Sequence, residues 1–228
     1  YLASSKLTKT GEFVYRKSYE FPSYPVTEGW DAAIKDVIYS EENNSHILVT
    51  TIGSRHSVLL ETDTSGEVVN RRLFEDMEIE RIIRTQEGDY ILGGKTSLYS
   101  GASGNESDLV LLKLTPELEV VWSRFYFADK FKYKRVDVRE MPDGSLVLVY
   151  STWGPFPVIL SKLTQTGEIV WQKGYALFQK EVDVMPDGSL LMTTFYHFDE
   201  THDFFVQTNI AKTDTLGRIA GCEEFPTC

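Results

Sequence analysis

Apolar and polar residues alternate along the chain in short runs, and pairs of runs are separated by tight polar turns that usually contain glycine. The segment from Leu160 to Tyr175, LSKLTQTGEIVWQKGY, is representative. This pattern is typical of a β-hairpin, whereas helical periodicity is not sustained over about ten residues anywhere in the sequence. The sequence therefore predicts an all-β protein with about 18 strands of about five to seven residues each.

This hairpin recurs five times, at intervals of 55, 52, 49 and 50 residues between successive turns. The turn residues of the five copies are Gly11, Gly66, Leu118, Gly167 and Gly217. Because Leu118 replaces glycine in the third copy, we expect that turn to have a different geometry or an extra residue. Trp122 and Trp171 occupy equivalent positions after the turn, where an earlier copy has Val69-Asn70, and we expect both indoles to pack one sheet on the next.

A second hairpin lies between successive copies, and two of its turns read MPDG, at residues 141–144 and 185–188. The two hairpins together form a four-stranded unit, with strands a and b followed by strands c and d. Tandem units of about 45–55 residues are the signature of a β-propeller, in which each sheet, or blade, buries its faces against its neighbours. We therefore predict a β-propeller of four-stranded antiparallel blades.

The whole chain, 1–228, is interpreted as one propeller domain. Its units span 1–20 (partial), 31–74, 80–127, 133–175 and 179–221, followed by a cysteine-containing tail at 222–228. Four a–b hairpins accompany five c–d hairpins, so there are four complete repeats and one extra hairpin. Either residues 1–20 and 179–228 close a small ring together, or the chain is a fragment of a larger propeller whose uncovered face meets a partner.

Composition narrows the function classes. The 34 acidic and 23 basic residues give a net charge of −11, which disfavours nucleic acids and anionic membrane surfaces as partners. No apolar run approaches the length of a membrane-spanning helix. Motifs of the GxSxG, HExxH, P-loop and CxxC types are absent. A carboxylate pair for glycoside hydrolysis stays open, because the separation of two acids is a three-dimensional property.

The pattern LxKLTxTGEIVWxKxY followed by MPDGSLLM resembles the tandem propeller repeats of secreted and cell-surface proteins of Bacteroidota-type bacteria. The matching residues are Lys113, Lys162 and Lys212, the turn glycines, Trp122 and Trp171, and Gly88, Gly144 and Gly188 of the second turn. The resemblance implies a propeller fold and an extracellular or cell-surface location, and it says less about activity. The tail also resembles the segment that closes such propellers, which often carries two cysteines.

The TGEIVW core is similar to the repeats of quinoprotein-like propellers as well. Quinone-dependent enzymes of that class need a calcium site, a catalytic aspartate and usually a vicinal cysteine pair. None of these is evident, and Cys222 and Cys228 are not adjacent, so no cofactor is predicted. Taken alone, the two cysteines either form a disulfide, which would imply an oxidising compartment, or are unrelated thiols.

Binding is expected on the connections between strands. The b–c and d–a connections of a propeller emerge at one face, and the long aromatic ones are residues 20–32, 96–107, 152–157 and 197–203. The candidate binding residues on them are Tyr24, Trp30, Tyr99, Trp153 and Phe156, unless their rings fold back over the blades. His197, Asp199 and His202 are weak metal candidates, and a solvated loop is the favoured interpretation, so no metal is predicted. Asp137 and Glu181 are expected to line a solvated central channel.

These observations favour a noncatalytic interaction, adhesion or structural module of a secreted or cell-surface bacterial protein. Its partner would be a protein, such as another domain of the same polypeptide, or a glycan. Binding would occur through the face that carries the long b–c and d–a connections. One alternative is a carbohydrate-active propeller enzyme that uses acids on that face. The other is an intracellular propeller scaffold, against which the missing GH…WD signature counts.

Overall fold

The structure, a computed structural model, describes residues 2–19, 32–52, 56–96, 108–126, 135–151, 158–175, 178–198 and 205–219. These ranges contain seventeen strands and no helix, which confirms the all-β prediction. The strands form five antiparallel sheets, each a meander in which consecutive strands are neighbours. We number the sheets 1 to 5 in chain order.

Sheet 1 contains β1 (Leu2–Leu7) and β2 (Phe13–Tyr19). Sheet 2 contains β3 (Ala32–Ser40), β4 (Ser45–Ile52), β5 (His56–Thr62) and β6 (Val68–Phe74). Sheet 3 contains β7 (Met77–Arg84), β8 (Tyr90–Thr96), β9 (Leu109–Leu114) and β10 (Val120–Tyr126). Sheet 4 contains β11 (Val136–Glu140), β12 (Leu146–Ser151), β13 (Val158–Leu163) and β14 (Ile169–Tyr175). Sheet 5 contains β15 (Phe178–Val184), β16 (Leu190–Phe198) and β17 (Phe205–Thr213).

Sheets 2, 3 and 4 are complete units with strands in the order a, b, c and d. Sheet 1 supplies only a c and a d strand. Sheet 5 has strands a, b and c, and an isolated bridge between Thr213 and Ile219 lies where a fourth strand would begin. Among the described strands, no pairing joins sheet 5 to sheet 1, so a closed ring is not shown.

The five c–d turns and the a–b turns of sheets 3, 4 and 5 share one geometry. In the turn of β13 and β14, Gly167 N donates to Thr164 O at 3.0 Å and Thr164 N donates to Glu168 O at 2.8 Å. Gly167 has a φ of 79°, as expected for a type I turn followed by a left-handed residue. The Thr164 hydroxyl also accepts the Glu168 N–H at 3.0 Å, which satisfies a further turn donor.

The expectation for Leu118 was wrong. Its φ is 67°, and its N–H donates to Thr115 O at 2.9 Å, so its turn matches the glycine turns and has no extra residue. A left-handed conformation costs a leucine about 1–2 kcal/mol. The Leu118 side chain is buried in the core between sheets 2 and 3, and this burial offsets the backbone cost.

Each core lies between two sheets. Leu59 of sheet 2 packs with Ile79 and Leu92 of sheet 3. The equivalent clusters join sheet 3 to sheet 4, sheet 4 to sheet 5, and sheet 1 to sheet 2. The faces of b and c strands are apolar because a central sheet buries both of its sides against neighbours.

A recurrent junction links the d strand of each sheet to the c–d turn of the next. A Cβ atom placed on Gly217 would lie 2.6 Å from Cη2 of Trp171, so the indole fills the space that a side chain would need. The hydroxyl of Tyr175 on the same strand donates to Gly217 O. Tyr19 repeats this bond with Gly66 O at 3.1 Å, and Tyr126 with Gly167 O at 2.5 Å. Here the tryptophans pack sheet on sheet, as predicted.

Gly167→Ala should therefore destabilise the protein more than Gly11→Ala. Both glycines have a positive φ, but a Cβ on Gly167 would lie 2.9 Å from Arg124 Cγ and 3.0 Å from Tyr126 Oη, whereas nothing lies within 4 Å of one on Gly11. We expect about 1 kcal/mol for Gly11→Ala, from the backbone alone, and about 3 kcal/mol for Gly167→Ala. Urea denaturation measures both, and equal losses would contradict the proposed packing role of the junction.

Candidate functional site

The predicted binding residues Tyr24, Trp30, Tyr99, Trp153 and Phe156 lie outside the described residues, as do Asp199, His202, Cys222 and Cys228. His197 belongs to β16, but its side chain is outside the description. Within the described ranges, no three His, Cys, Asp or Glu side chains are grouped so that they could hold a metal ion. The described part of the chain also has no helix that could cross a membrane.

The strands that flank the long connections are described, and they determine where those connections leave the sheets. Because consecutive strands are antiparallel, every b–c and d–a connection starts at the end of the sheets opposite the glycine turns. We call this end the loop end and the other the turn end. Residues 97–107 and 152–157 connect b to c strands, and residues 20–31 and 127–134 connect d to a strands.

The innermost a strands carry an ionic row. Asp36, Arg81 and Asp137 occupy equivalent positions on β3, β7 and β11, counted back from the a–b turns. Arg81 lies between the two acids: its Nε is 2.7 Å from Asp137 Oδ1 and its Nη1 is 3.7 Å from Asp36 Oδ2. Arg139 Nη1 also lies 2.6 Å from Asp137 Oδ1. The row thus ties sheets 2, 3 and 4 together through their a strands.

The same carboxylates accept backbone N–H groups of the next a strand. Ile82 N donates to Asp36 Oδ2 at 3.0 Å, and Val182 N donates to Asp137 Oδ2 at 3.1 Å. Arg81 of the row cannot accept a hydrogen bond. On β7 the neighbouring Glu80 Oε2 instead accepts the hydrogen bond of Val136 N, at 2.9 Å. These bonds satisfy the otherwise unpaired edge of each innermost strand.

Asp137 therefore differs from the expectation of a solvated channel wall. Its side chain is buried and engaged by two guanidinium groups and one backbone N–H. A buried carboxylate needs such partners, because desolvation of its charge is costly. The side chain of Glu181, at the equivalent position on β15, lies outside the description.

A second ionic group adjoins the row. Lys95 Nζ lies 3.0 Å from Glu78 Oε2 and 3.3 Å from Glu80 Oε1, and Lys35 Nζ lies 3.1 Å from Glu78 Oε1. Burial acts to raise the pKa of Glu78, but the two ammonium groups outweigh it and the pKa is lowered. The acids likewise outweigh burial at Lys95 and raise its pKa. Both groups are thus held in their charged forms at neutral pH.

The lysine of the repeat binds the a–b turn of its own sheet. Lys162 Nζ lies 2.8 Å from Asp143 Oδ2, and this bond, with that from Ser145, lowers the pKa of Asp143 to about 2. Lys113 similarly lies 2.8 Å from Asp89 Oδ2. The recurrent lysine and the turn aspartate thus link the c strand of each hairpin to the a–b turn of its own sheet.

The junction between sheets 2 and 3 departs from the others. Asn70 stands where the other junctions have Tyr15, Trp122 or Trp171, and Phe74 stands in place of tyrosine. Arg72 Nη1 donates to Leu118 O in place of the missing phenol. Glu61 replaces the recurrent lysine and accepts from Ser45 Oγ at 2.7 Å and Asn43 Nδ2 at 3.2 Å.

An open polar depression of about 480 Å³ lies at this junction, on the turn end. Its polar lining comprises Asn43, Ser45, Glu61, Asp63, Asn70 and Glu117. The absence of a large ring at position 70 accounts for the space, because at the other junctions the ring covers the turn. Aligning the hairpin copies reveals the signal for it, since Asn70, Phe74 and Leu118 depart from the repeat together.

The described acids offer little that resembles a catalytic pair. Burial is the largest influence on Glu140 and raises its pKa, yet its Oε2 is engaged by Gln86 N at 2.7 Å. Asp36 and Asp137 are bridged by Arg81. Asp36, Asp137 and Glu140 therefore help to hold the sheets together.

Asp137→Asn should destabilise the protein by about 2–3 kcal/mol, because Arg81 and Arg139 lose a charged acceptor at a buried site. The control is Asp183→Asn on the neighbouring a strand, where the side chain is 72% exposed and lies 3.7 Å from Arg139 Nε. We expect a change within about 0.5 kcal/mol there. Chemical denaturation reports both values, and a negligible loss for Asp137→Asn would refute the bridging role.

Asn70→Trp and Leu118→Gly should be coupled. An indole at position 70 collides with the Leu118 side chain if it sits as Trp171 sits on Gly217, and Leu118→Gly removes the collision. We expect the double variant to be at least about 1 kcal/mol more stable than the sum of the single losses. Val170→Trp combined with Leu118→Gly is the control, since Val170 is exposed on β14 of sheet 4 and does not line the depression. Additive losses in the Asn70 cycle would count against the proposed origin of the depression.

Comparison with known proteins supports the fold class. The chain matches no protein-family model and no curated protein sequence. It is similar in structure to a protein of unknown function from Dyadobacter fermentans, with a TM-score of 0.63, 10% identity and coverage of 92% of this chain and 65% of that one. It is also similar to the Dos1 propeller, with a TM-score of 0.53, 14% identity and coverage of 85% and 47%.

A third similar structure is MPT-4, a mannose phosphorylase from Leishmania mexicana in complex with phosphate ion. The TM-score is 0.53, the identity is 12%, and the coverage is 85% of this chain and 67% of that one. At these identities the likeness concerns the fold alone. The chain is thus an all-β protein with several four-stranded antiparallel sheets that resembles propellers, and it spans about half to two thirds of the length of these three similar chains.

Proposed function

We propose that this chain is a noncatalytic interaction module of a secreted or cell-surface bacterial protein. In this proposal it binds a protein or a glycan at the loop end. One observation carries the proposal: the long connections leave the sheets at a single end, whereas the recurrent residues described elsewhere hold the sheets together. A rigid stack of sheets that presents variable connections at one end is suited to recognition.

The chemistry of these connections supports aromatic recognition. Tyr24, Trp30, Tyr99, Trp153 and Phe156 belong to three connections of the loop end. Tyrosine and tryptophan provide large contact areas with few rotatable bonds and often dominate the binding energy of an interface. The same rings stack on the apolar faces of sugars, so both partner classes fit the proposal.

A noncatalytic role is favoured by the use of the described charges. Asp36 and Asp137 are bridged by Arg81, and Glu78 is held by two lysines. An acid that protonates a glycosidic bond instead needs a raised pKa and access to substrate. A carbohydrate-active enzyme is the alternative, and its fold is compatible because a phosphorylase is among the similar structures.

The proposed location is based on the resemblance of the repeats to those of secreted and surface proteins of Bacteroidota-type bacteria. The structural similarity to the Dyadobacter fermentans protein is compatible with it. An oxidised Cys222–Cys228 pair would add independent support, because disulfides persist in oxidising compartments.

A glycan array, together with pull-down from the culture medium and surface extract of the source bacterium, tests the proposal with the purified chain. Once a ligand is found, Trp30→Ala and Trp153→Ala should each weaken binding at least tenfold, as expected for aromatic anchors. The matched control is Phe13→Ala, because Phe13 is an aromatic residue that is 71% exposed beside the glycine turn of sheet 1 at the turn end. This control should bind as the wild type does.

Two results would contradict the proposal. Loss of binding in Phe13→Ala with retention in both tryptophan variants would move the site to the turn end. Turnover of a bound glycan that disappears when one loop-end carboxylate is replaced would establish the enzyme alternative instead.

A further inference from the structure

Sheet 1 is half of a repeat unit, and its two strands pack against sheet 2 in the way that the c and d strands of a complete sheet pack against the next sheet. Tyr19 on β2 donates to Gly66 O, as the tyrosines of later d strands do at their own junctions. The ring of Tyr15 likewise lies where a Cβ of Gly66 would fall, 2.6 Å away. β1 and β2 therefore occupy the c and d positions, and among the described strands β1 has no neighbour on its other edge.

The face of β3 beside this half-sheet is uncovered. Val37 on β3 is 52% exposed, while the residues at the equivalent position of β7, β11 and β15 are buried. These residues are Ile82, Val138 and Val182, with exposures of 2%, 0% and 0%. Ile34 and Tyr39 are also exposed, so β3 presents apolar side chains to solvent, whereas the counterparts of Val37 on the three later a strands are buried.

The backbone of β3 lacks the bond that its counterparts receive. Ile82 N and Val182 N each donate to a carboxylate of the preceding a strand, Asp36 or Asp137. At the equivalent position Val37 N instead donates to Asp36 Oδ1 of the adjacent residue, at 2.9 Å. A preceding a strand with an aspartate in the ionic row would supply an acceptor from a neighbouring sheet in place of this local one.

The repeat lysine of sheet 1 lacks its usual partner as well. Lys113, Lys162 and Lys212 each face an acid in the a–b turn of their own sheet, at 2.8, 2.8 and 3.6 Å. Lys6 occupies the same position in sheet 1 and donates instead to the carbonyl of Thr64, at 3.4 Å. An acidic residue in an added a–b turn would complete this pair.

We propose that this region is a docking site for a β-hairpin of the a–b type. The hairpin adds its second strand to the free edge of β1, and its first strand covers Val37. Recognition requires apolar residues on both strands, an aspartate that accepts Val37 N–H, and an acidic turn residue that meets Lys6. The hairpin of residues 135–151 of this chain has all three features, in Asp137 and Asp143 and its apolar strands, so it serves as the probe.

The test adds a fluorescent peptide of residues 135–151 to the full chain and measures anisotropy, with a scrambled peptide for comparison. We expect saturable binding of the hairpin only. Val37→Asp places a charge on the docking face and should weaken this binding at least tenfold. Val121→Asp is the matched control, because Val121 is an equally exposed valine (53%) on the outer strand β10, and it should bind as the wild type does.

Two further measurements locate the bound hairpin. Hydrogen exchange should slow at the amides of β1 when the peptide is present. Because an isolated hairpin pays an ordering cost, the same segment is also joined to Tyr1 through a flexible Gly/Ser linker, which raises its effective concentration. The fusion should raise Tm by several degrees, and Val37→Asp should remove this gain while Val121→Asp preserves it.

The proposal is overturned if neither the peptide nor the fusion protects β1, or if Val37→Asp changes nothing. It is also overturned if protection appears only on sheet 5. The rival occupant of the face is a second copy of the chain. Sedimentation would then detect a dimer of the unmodified chain, and Val37→Asp would dissociate it. All these outcomes are independent of ligand binding by Trp30 or Trp153.

Discussion

The architecture depends on one repeated contact, in which the outer strand of each sheet closes over the c–d turn of the next. An aromatic ring fills the space beside a turn glycine, and a tyrosine hydroxyl binds the carbonyl of that glycine. The turn needs a residue in the left-handed conformation, and the ring needs the space that a side chain at that residue would fill. Glycine meets both requirements. The apolar sheet faces provide most of the driving force, and this contact determines how the faces are aligned.

The junction between sheets 2 and 3 shows that the contact behaves as a unit. Leu118 has a side chain where the other turns have none, and Asn70 replaces the ring that this side chain would displace. Phe74 lacks the phenol, and Arg72 provides the bond to the turn carbonyl instead. On the same sheet, the acidic Glu61 stands in place of the basic lysine of the repeat. It accepts hydrogen bonds from an amide and a hydroxyl group. The parts of the interface have changed together, and the polar depression is the space left by that change.

Much of this architecture is visible in the sequence. The hairpins, their glycine turns and the packing of Trp122 and Trp171 follow from alternation and repetition, because each is a local or strictly periodic property. The conformation of Leu118 was mispredicted because burial in the core between two sheets, a tertiary effect, outweighs its local backbone cost. Asp137 was placed correctly on an a strand, but its partner Arg81 comes from another sheet, which the local pattern does not show. The aromatic connections have no repeat to define their position, so their side chains cannot be placed from the pattern.

The contact between ring and turn also has a direction, because the outer strand always belongs to one sheet and the turn to the following one. Every unit therefore carries a donor surface on one side and an acceptor surface on the other. A gene segment that encodes one unit with the common ring and turn glycine can be duplicated or lost in frame without creating a mismatched boundary. The unequal intervals of 49 to 55 residues lie within this tolerance, since the variation resides in the connections. Such a modular arrangement lets the number of units change while the rules of assembly stay the same.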